Sequence, residues 1–305
     1  MRGHFVSTFK RAFLFNGIGT KPEKLIKAMT PQMLEKFFSY RHDEFARLKL
    51  SENPSENSPM DRLAAEWLSS LISDRVVFEY YLEKGIIPDI GMGHSSGIVS
   101  VSACFGAISH EFAHEIIMMN RATMLSLQKS GESQDMGTII GLGIDEVNEI
   151  IEENNFSPDD IIVGSANSRI CTMISGKRDI VLRLLDAAHE AGAIKVIPFN
   201  IGLAYHHPMI KKHSDEYVSF CDNGDYSAPK YPVLSIFDGR IMTDGDDLRK
   251  ENCINILNPI RWDLALKKLE ELGVTEYYDV SANGAVGKFS RINKRKGRIY
   301  TFDEV

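Results

Sequence analysis

Apolar and polar positions fall along this chain in blocks that predict strands and helices in near-regular succession. Ala12 to Phe15 is a short apolar run ending in Asn16-Gly17-Ile18-Gly19, the pattern of a buried strand entering a tight glycine turn. Ser51 to Pro59 is rich in Ser, Asn, Glu and Pro and reads as an exposed loop, too short to link two domains. From Asp61 to Lys84 apolar residues recur at helical spacing (Leu63, Ala64, Trp67, Leu68, Leu71), and Gly85 is placed to stop that helix. Ile86 to Met92 reads as a second buried strand, followed by Gly93-His94-Ser95-Ser96-Gly97. Ile98 to Ile108 predicts a helix of small residues packed on a sheet, and Glu111 to Lys129 a longer amphipathic one.

From Met136 the order of elements becomes informative. Met136 to Leu142 reads as strand, Ile144 to Glu153 as helix, Ile161 to Ala166 and Cys171 to Ser175 as strands, Asp179 to Ala191 as helix and Ala193 to Pro198 as strand. That βαββαβ order is the ferredoxin-like unit, a compact subdomain inserted in a larger one. The larger unit resumes with a strand at Val233 to Ile236 and a turn at Asp238-Gly239. A helix over Pro259 to Leu272, closed by Gly273, and a last core strand over Glu276 to Val280 complete it. The expected division is a large subdomain over residues 1–131 and 199–305 and a small one over 132–198. No internal repeat is evident, which removes solenoid folds.

Composition narrows the function classes. With 305 residues, 43% apolar and 25% charged, the chain is long enough to bury its own core and fits neither the disordered nor the membrane class. No apolar run approaches the roughly 18 residues of a spanning helix. Met1 to Lys10 has no apolar core with a small-residue cleavage site, so a cytoplasmic protein without a secretory signal is expected. Four scattered cysteines, Cys104, Cys171, Cys221 and Cys253, form no CxxC pair, and no metal site or permanently bound cofactor is expected. The net charge of −7 argues against non-specific nucleic-acid binding. A local exception is the basic cluster Lys288, Arg291, Lys294, Arg295, Lys296 and Arg298, which is either a solvated face or a seat for an acidic partner or phosphate.

Gly93-His94-Ser95-Ser96-Gly97 is a GxSxG sequence between a predicted strand and a predicted helix, the context of a nucleophile elbow. Such a serine sits in a tight turn that exposes its hydroxyl, and the following N–H, from Ser96, points at a developing oxyanion from the start of a helix. A serine hydroxyl needs a base, and the chain has nine histidines. His206 and His207 lie in a loop where the larger unit resumes, and spacing alone does not separate them.

Together these segments resemble the malonyl-CoA:acyl-carrier-protein transacylases and the acyltransferase domains of polyketide synthases. Phe15 to Gly19 is similar to the family's FPGQG, Gly93 to Gly97 to its GHSxG, and Asn167-Ser168 with Ile174-Ser175-Gly176 to its NSP and ISG segments. Tyr205-His206-His207-Pro208 is similar to FHSP, and Asn258 to Trp262 to NPVRW. The resemblance runs from Phe13 to about Ile292 and implies an α/β-hydrolase-like large subdomain with the ferredoxin-like insert.

The resemblance also implies roles. Ser95 is the acylated nucleophile, His206 its general base, and the backbone carbonyl of Asn255 orients that ring. The N–H groups of Ile18 and Ser96 form the oxyanion hole, although isoleucine stands where the family has glutamine. Arg121 on the predicted helix Glu111 to Lys129 matches the arginine that clamps a malonyl carboxylate, while Tyr205 and Asn167 contact substrate and His94 packs beside the elbow. Leu203-Ala204-Tyr205-His206 is nearer to the family's malonyl version, HAFH, than to its methylmalonyl version, YASH. The expected function is transfer of malonyl, or a small polar-substituted malonyl such as hydroxymalonyl, from a CoA or carrier-protein thioester to an acyl carrier protein, in polyketide or fatty-acid biosynthesis. Neighbouring synthase domains are a further expected partner. The alternatives are a hydrolase clearing acyl groups from carrier proteins, which is expected to lack the arginine, a catalytically silent docking module, and a patatin-like lipase using Asp238-Gly239.

Overall fold

The computed structural model describes residues 9–18, 20–290 and 297–305. The chain opens with strand β1 (Arg11–Phe15), helices α1 (Pro22–Ala28), α2 (Pro31–Leu48) and α3 (Pro59–Glu83), then β2 (Ile90–Gly93) and α4 (Gly97–Cys104). Ser58 starts α3 by accepting the Asp61 N–H on its hydroxyl, which satisfies one of the free donors of the first turn. The single amphipathic helix expected over Glu111 to Lys129 is two, α5 (His110–Met118) and α6 (Asn120–Ser130), meeting at Met119. Next come β3 (Gln134–Ile140), α7 (Ile144–Glu153), β4 (Ile161–Ser168), β5 (Cys171–Lys177), α8 (Arg178–Glu190) and β6 (Lys195–Pro198). The chain closes with α9 (Asp215–Asp222), β7 (Val233–Leu234), β8 (Ile241–Met242), α10 (Gly245–Ile254), α11 (Trp262–Glu271), β9 (Glu276–Asp279), α12 (Ala285–Ser290) and β10 (Arg298–Tyr300).

Two sheets result. The larger has the order β10-β9-β1-β2-β7-β8 and is parallel except for the β7–β8 pair. A parallel sheet is buried on both faces, and β1 shows how: Phe13 and Phe15 enter the core under α3, α4 and α5, while Ala12 and Leu14 face the core against α11 and Trp262. The smaller sheet has the order β4-β5-β3-β6, antiparallel throughout, with α7 and α8 covering one face. Its βαββαβ connectivity is the ferredoxin-like arrangement.

The strand expected over Ile86 to Met92 begins only at Ile90, because Pro88 lacks a ladder donor and Asp89 instead accepts the N–H groups of Lys10 and Arg11 on its carboxylate. The sheets meet through the edge of β4. Ser165 bridges in parallel to Ile260, the Ala166 N–H donates to the Ile260 carbonyl at 3.0 Å, and the Ile260 N–H donates to the Gly164 carbonyl at 2.9 Å. Gly164 lies at the seam, where an added Cβ would stand 3.5 Å from the Cβ of His206. Among the described residues no helix is long and apolar enough to cross a membrane. Residues 291–296 of the basic cluster lie outside the described residues, as does Gly19 of the first glycine turn.

Candidate active site

Ser95 follows the last residues of β2 on a sharp turn, with φ of 53° in the left-handed region that a residue with a side chain rarely adopts. The turn is possible because glycines flank it. An added Cβ on Gly93 would lie 2.2 Å from the carbonyl carbon of Gly97, and one on Gly97 would lie 2.5 Å from the carbonyl oxygens of Phe15 and Asn16. The strain holds the Ser95 hydroxyl out of the backbone and toward the loop after β6.

That loop brings His206. Its N–H donates to the Ile256 carbonyl at 2.8 Å, the neighbouring Ala204 N–H donates to Gln134 Oε1 at 3.2 Å, and His206 itself has φ of 65°. The loop that carries the imidazole is therefore tied both to β3 and to the turn after α10. Ser95 Oγ lies 2.8 Å from His206 Nε2 across 111 positions of sequence. On the far side of the ring Nδ1 lies 3.2 Å from the Asn258 carbonyl, which can only accept, so Nδ1 carries the proton and Nε2 is the base. The resemblance assigned this orienting contact to the Asn255 carbonyl. The hydrogen bond within measured distance is made by Asn258, with the Asn255 carbonyl as a second, weaker influence on the ring. The reason is helical register: Asn255 caps α10, and the turn that follows presents the Asn258 carbonyl to the ring.

Burial pushes His206 down to about 3, with His94 lowering it further and the Asn258 and Asn255 carbonyls opposing both. A depressed imidazole is neutral, and able to accept a proton, at every pH above its own value. The expected result is a rate of Ser95 acylation that stays level within about threefold from pH 7.5 to pH 5, where an unperturbed imidazole would already be mostly protonated. Rapid-quench acylation at both pH values checks it, and a fall centred near 6.5 would contradict it. As the serine proton moves, negative charge growing beside the ring favours the imidazolium, so the base strengthens when it is used.

His94 sits behind the elbow, buried and held down to about 4 by desolvation, with the Asn167 side chain opposing. Its Nε2 donates to Asn167 Oδ1 at 2.8 Å, and its ring packs edge-on to Trp262 at 5.2 Å between centroids. Asn167, expected to touch substrate, is occupied here: Ser165 donates to the same Oδ1 at 2.7 Å. Its visible role is to tie β4 to the elbow.

The expected oxyanion donors differ in state. The Ile18 N–H donates to Ser96 Oγ at 2.7 Å, so a side chain of the elbow itself occupies that donor. Breaking such a bond costs about 0.5–1.5 kcal/mol net. Ser96→Ala is accordingly expected to raise the acylation rate by up to about tenfold, measured with a chromogenic thioester; a drop of about a hundredfold would make the hydroxyl itself the donor.

Arg121 is not placed as the resemblance implies. Its guanidinium pairs with Asp61 of α3 at 2.7 Å and is one-third exposed. The physical reason is helical phase. On α6 the buried stripe is Asn120, Thr123 and Leu127, and Leu127 packs with Leu203, Ile210, Met124 and Tyr205. Arg121 is rotated about 100° from Asn120, onto the side of exposed Leu125. Asn120 was missed from sequence, although the i, i+3, i+4, i+7 spacing of Asn120, Thr123, Met124 and Leu127 carries the signal once the break at Met119 is known. Tyr205, expected to touch substrate, has its ring centroid 6.5 Å from that of His206, and its hydroxyl is buried without a partner among the described residues.

A strained serine at the end of a parallel strand, 2.8 Å from the imidazole of a histidine beyond a ferredoxin-like insert, is an arrangement suited to acyl chemistry through a serine ester. The comparisons agree with the resemblance read from the motifs. The malonyl CoA-acyl carrier protein transacylase of Bacillus subtilis strain 168 is 25% identical over 301 residues, covering 96% of this chain and 94% of that protein. Among solved structures, the malonyl CoA-acyl carrier protein transacylase of Coxiella burnetii superposes with a TM-score of 0.80 at 24% identity, covering 98% of this chain and 95% of the other. A malonyl-transacylase solved with its type II polyketide synthase acyl-carrier protein gives 0.79 at 20% identity, over 96% and 95% of the two chains. These structures share the fold of this chain. No family model matches the chain.

Proposed function

We propose that the protein moves a malonyl-sized acyl group from a CoA or carrier-protein thioester, through an ester on Ser95, to the phosphopantetheine thiol of an acyl carrier protein. His206 Nε2 takes the Ser95 proton as Oγ attacks the thioester carbonyl, and the oxyanion is held from the Ser96 N–H, joined by Ile18 when the Ser96 hydroxyl turns away. Collapse breaks the C–S bond and the departing thiolate takes the proton from His206. The acceptor thiol then gives its proton to His206 and attacks the acyl-serine carbonyl, and collapse breaks the ester C–O bond as His206 returns the proton to Ser95 Oγ. The observation that carries this reading is the 2.8 Å Ser95–His206 contact beside a ring whose other nitrogen is already engaged. The division into residues 1–131 with 199–305 and an insert over 132–198 belongs to the same reading, supported by the two separate sheets.

A malonyl-type unit, malonyl itself or hydroxymalonyl, is the acyl class that the relatives' names and Tyr205 support. The ion pair of Arg121 with Asp61 removes one support, the carboxylate clamp, and gives weight to a second reading: release of the acyl group to water, as in a hydrolase acting on acylated carrier proteins. One experiment separates them. Acyl-enzyme isolated after a short pulse of donor is chased with holo acyl carrier protein, and intact mass follows both proteins. Transfer is expected to raise the carrier mass at the rate at which the enzyme loses it. Loss from the enzyme at the same rate with and without carrier selects the hydrolase, and no labelling at all by any donor rejects both.

A further inference from the structure

The buried stripe of α6 carries polar atoms that nothing among the described residues satisfies. Asn120 is 2% exposed; its Nδ2 donates to the Ile117 carbonyl at 3.0 Å, while its Oδ1 has no partner. Thr123 Oγ1, on the next turn of the same stripe, and the Tyr205 hydroxyl, on the loop against which that stripe packs, are likewise buried and unpaired. Tyr205 directly precedes His206, and its ring centroid lies 6.5 Å from the imidazole that meets Ser95. These three unpaired atoms stand on two elements that pack together through Met124, Leu127 and Tyr205, and they offer bonds that a ligand can supply.

The chemistry of the three atoms restricts that ligand. An amide oxygen only accepts, so whatever meets Asn120 Oδ1 must donate. Thr123 and Tyr205 can donate or accept. A carboxylate has no proton to give Asn120, and in a dry site it needs a cation. None of the three atoms meets one, and the neighbouring Arg121 is turned outward to Asp61. A hydroxyl satisfies all the requirements, donating to Asn120 Oδ1 and accepting from Tyr205. We infer that Asn120, with Thr123 and Tyr205, forms the seat for the far end of the acyl chain and selects an uncharged, hydroxyl-bearing short acyl group over a free carboxylate. This inference rests on the acyl-Ser95 reading of the site and departs from it in the acyl class, setting an uncharged unit against the malonyl-type unit that the relatives' names support.

The test compares malonyl-CoA with 3-hydroxypropionyl-CoA, which has the same chain length and ends in a hydroxyl in place of the carboxylate. Acylation of the intact protein is followed by mass. The hydroxylated donor is expected to load at least tenfold faster; Asn120→Ala is expected to lower that ratio at least fivefold, Asn120→Arg to invert it, and Arg121→Ala to leave it unchanged. Tyr205→Phe, which removes only a hydroxyl, is expected to lower the ratio as well and guards against misfolding of the arginine variant. A ratio at or below one in the unaltered protein overturns the inference while leaving acyl transfer intact, as does a ratio unmoved by both Asn120→Ala and Tyr205→Phe. Absence of loading by either donor overturns the acyl-Ser95 reading together with the inference.

Discussion

Ser95→Ala is expected to abolish the acyl-enzyme: no mass increase with any thioester donor, and turnover lowered by about a thousandfold or more. The size follows from what the hydroxyl does. In the two-step route every acyl group passes through an ester at Oγ, and a methyl group has no lone pair to attack with. Residual turnover would come only from substrate positioning and the backbone donors. His206→Ala is expected to cost on the order of a hundred- to ten-thousandfold, because Oγ remains but loses its proton acceptor. Fold is not expected to suffer in Ser95→Ala, since alanine also relaxes no packed contact beyond the 2.8 Å bond to His206. Combining the two changes is the sharper measurement. If the residues act as one unit the double variant is barely slower than Ser95→Ala alone, whereas independent roles would multiply.

Gly93→Ala is expected to destabilise the protein by about 3 kcal/mol or more, and to silence it in the fraction that still folds. An added Cβ would sit 2.2 Å from the Gly97 carbonyl carbon, 2.3 Å from its oxygen and 2.3 Å from the Ile98 nitrogen. All three are backbone atoms at the start of α4, so no side chain can swing aside; either β2 or the helix must move, and with it the nucleophile. Gly85 supplies the contrast. It has φ of +72° but open space within 4 Å of an added Cβ, so Gly85→Ala carries only the left-handed backbone penalty of about 1–2 kcal/mol. Urea denaturation midpoints of the two variants measure the difference, and equal losses would show that the elbow tolerates crowding.

Local patterns carried much of the fold. The continuous apolar run of β1, the 3.6-period run of α3 and the βαββαβ order after residue 132 each depend on neighbours in sequence, and each element forms where those patterns lie. Less legible were β8, β10, α9 and α12, short elements whose existence depends on the surfaces they dock against. At the site, the glycines around Ser95 announced a tight turn, because only a missing Cβ permits that approach of backbone to backbone. Neither Asn258 nor Asn120 was legible, for two distinct reasons. Which carbonyl meets His206 depends on how the turn after α10 is aimed, and which residue of α6 faces inward depends on a helix break at Met119 that no proline or glycine marks.

Sequence alone therefore determined the tight turn at Ser95, the order of strands and helices along the chain and the kind of residue able to serve as base. Tertiary structure decided the pairing of Ser95 with His206, the capture of the Ile18 N–H by Ser96, and the exchange of Arg121 for Asn120 on the inward face. The physical reason is range: turn and strand preferences arise from sterics within a few residues, whereas hydrogen bonds across 111 positions and the rotational phase of a packed helix are set by the whole core.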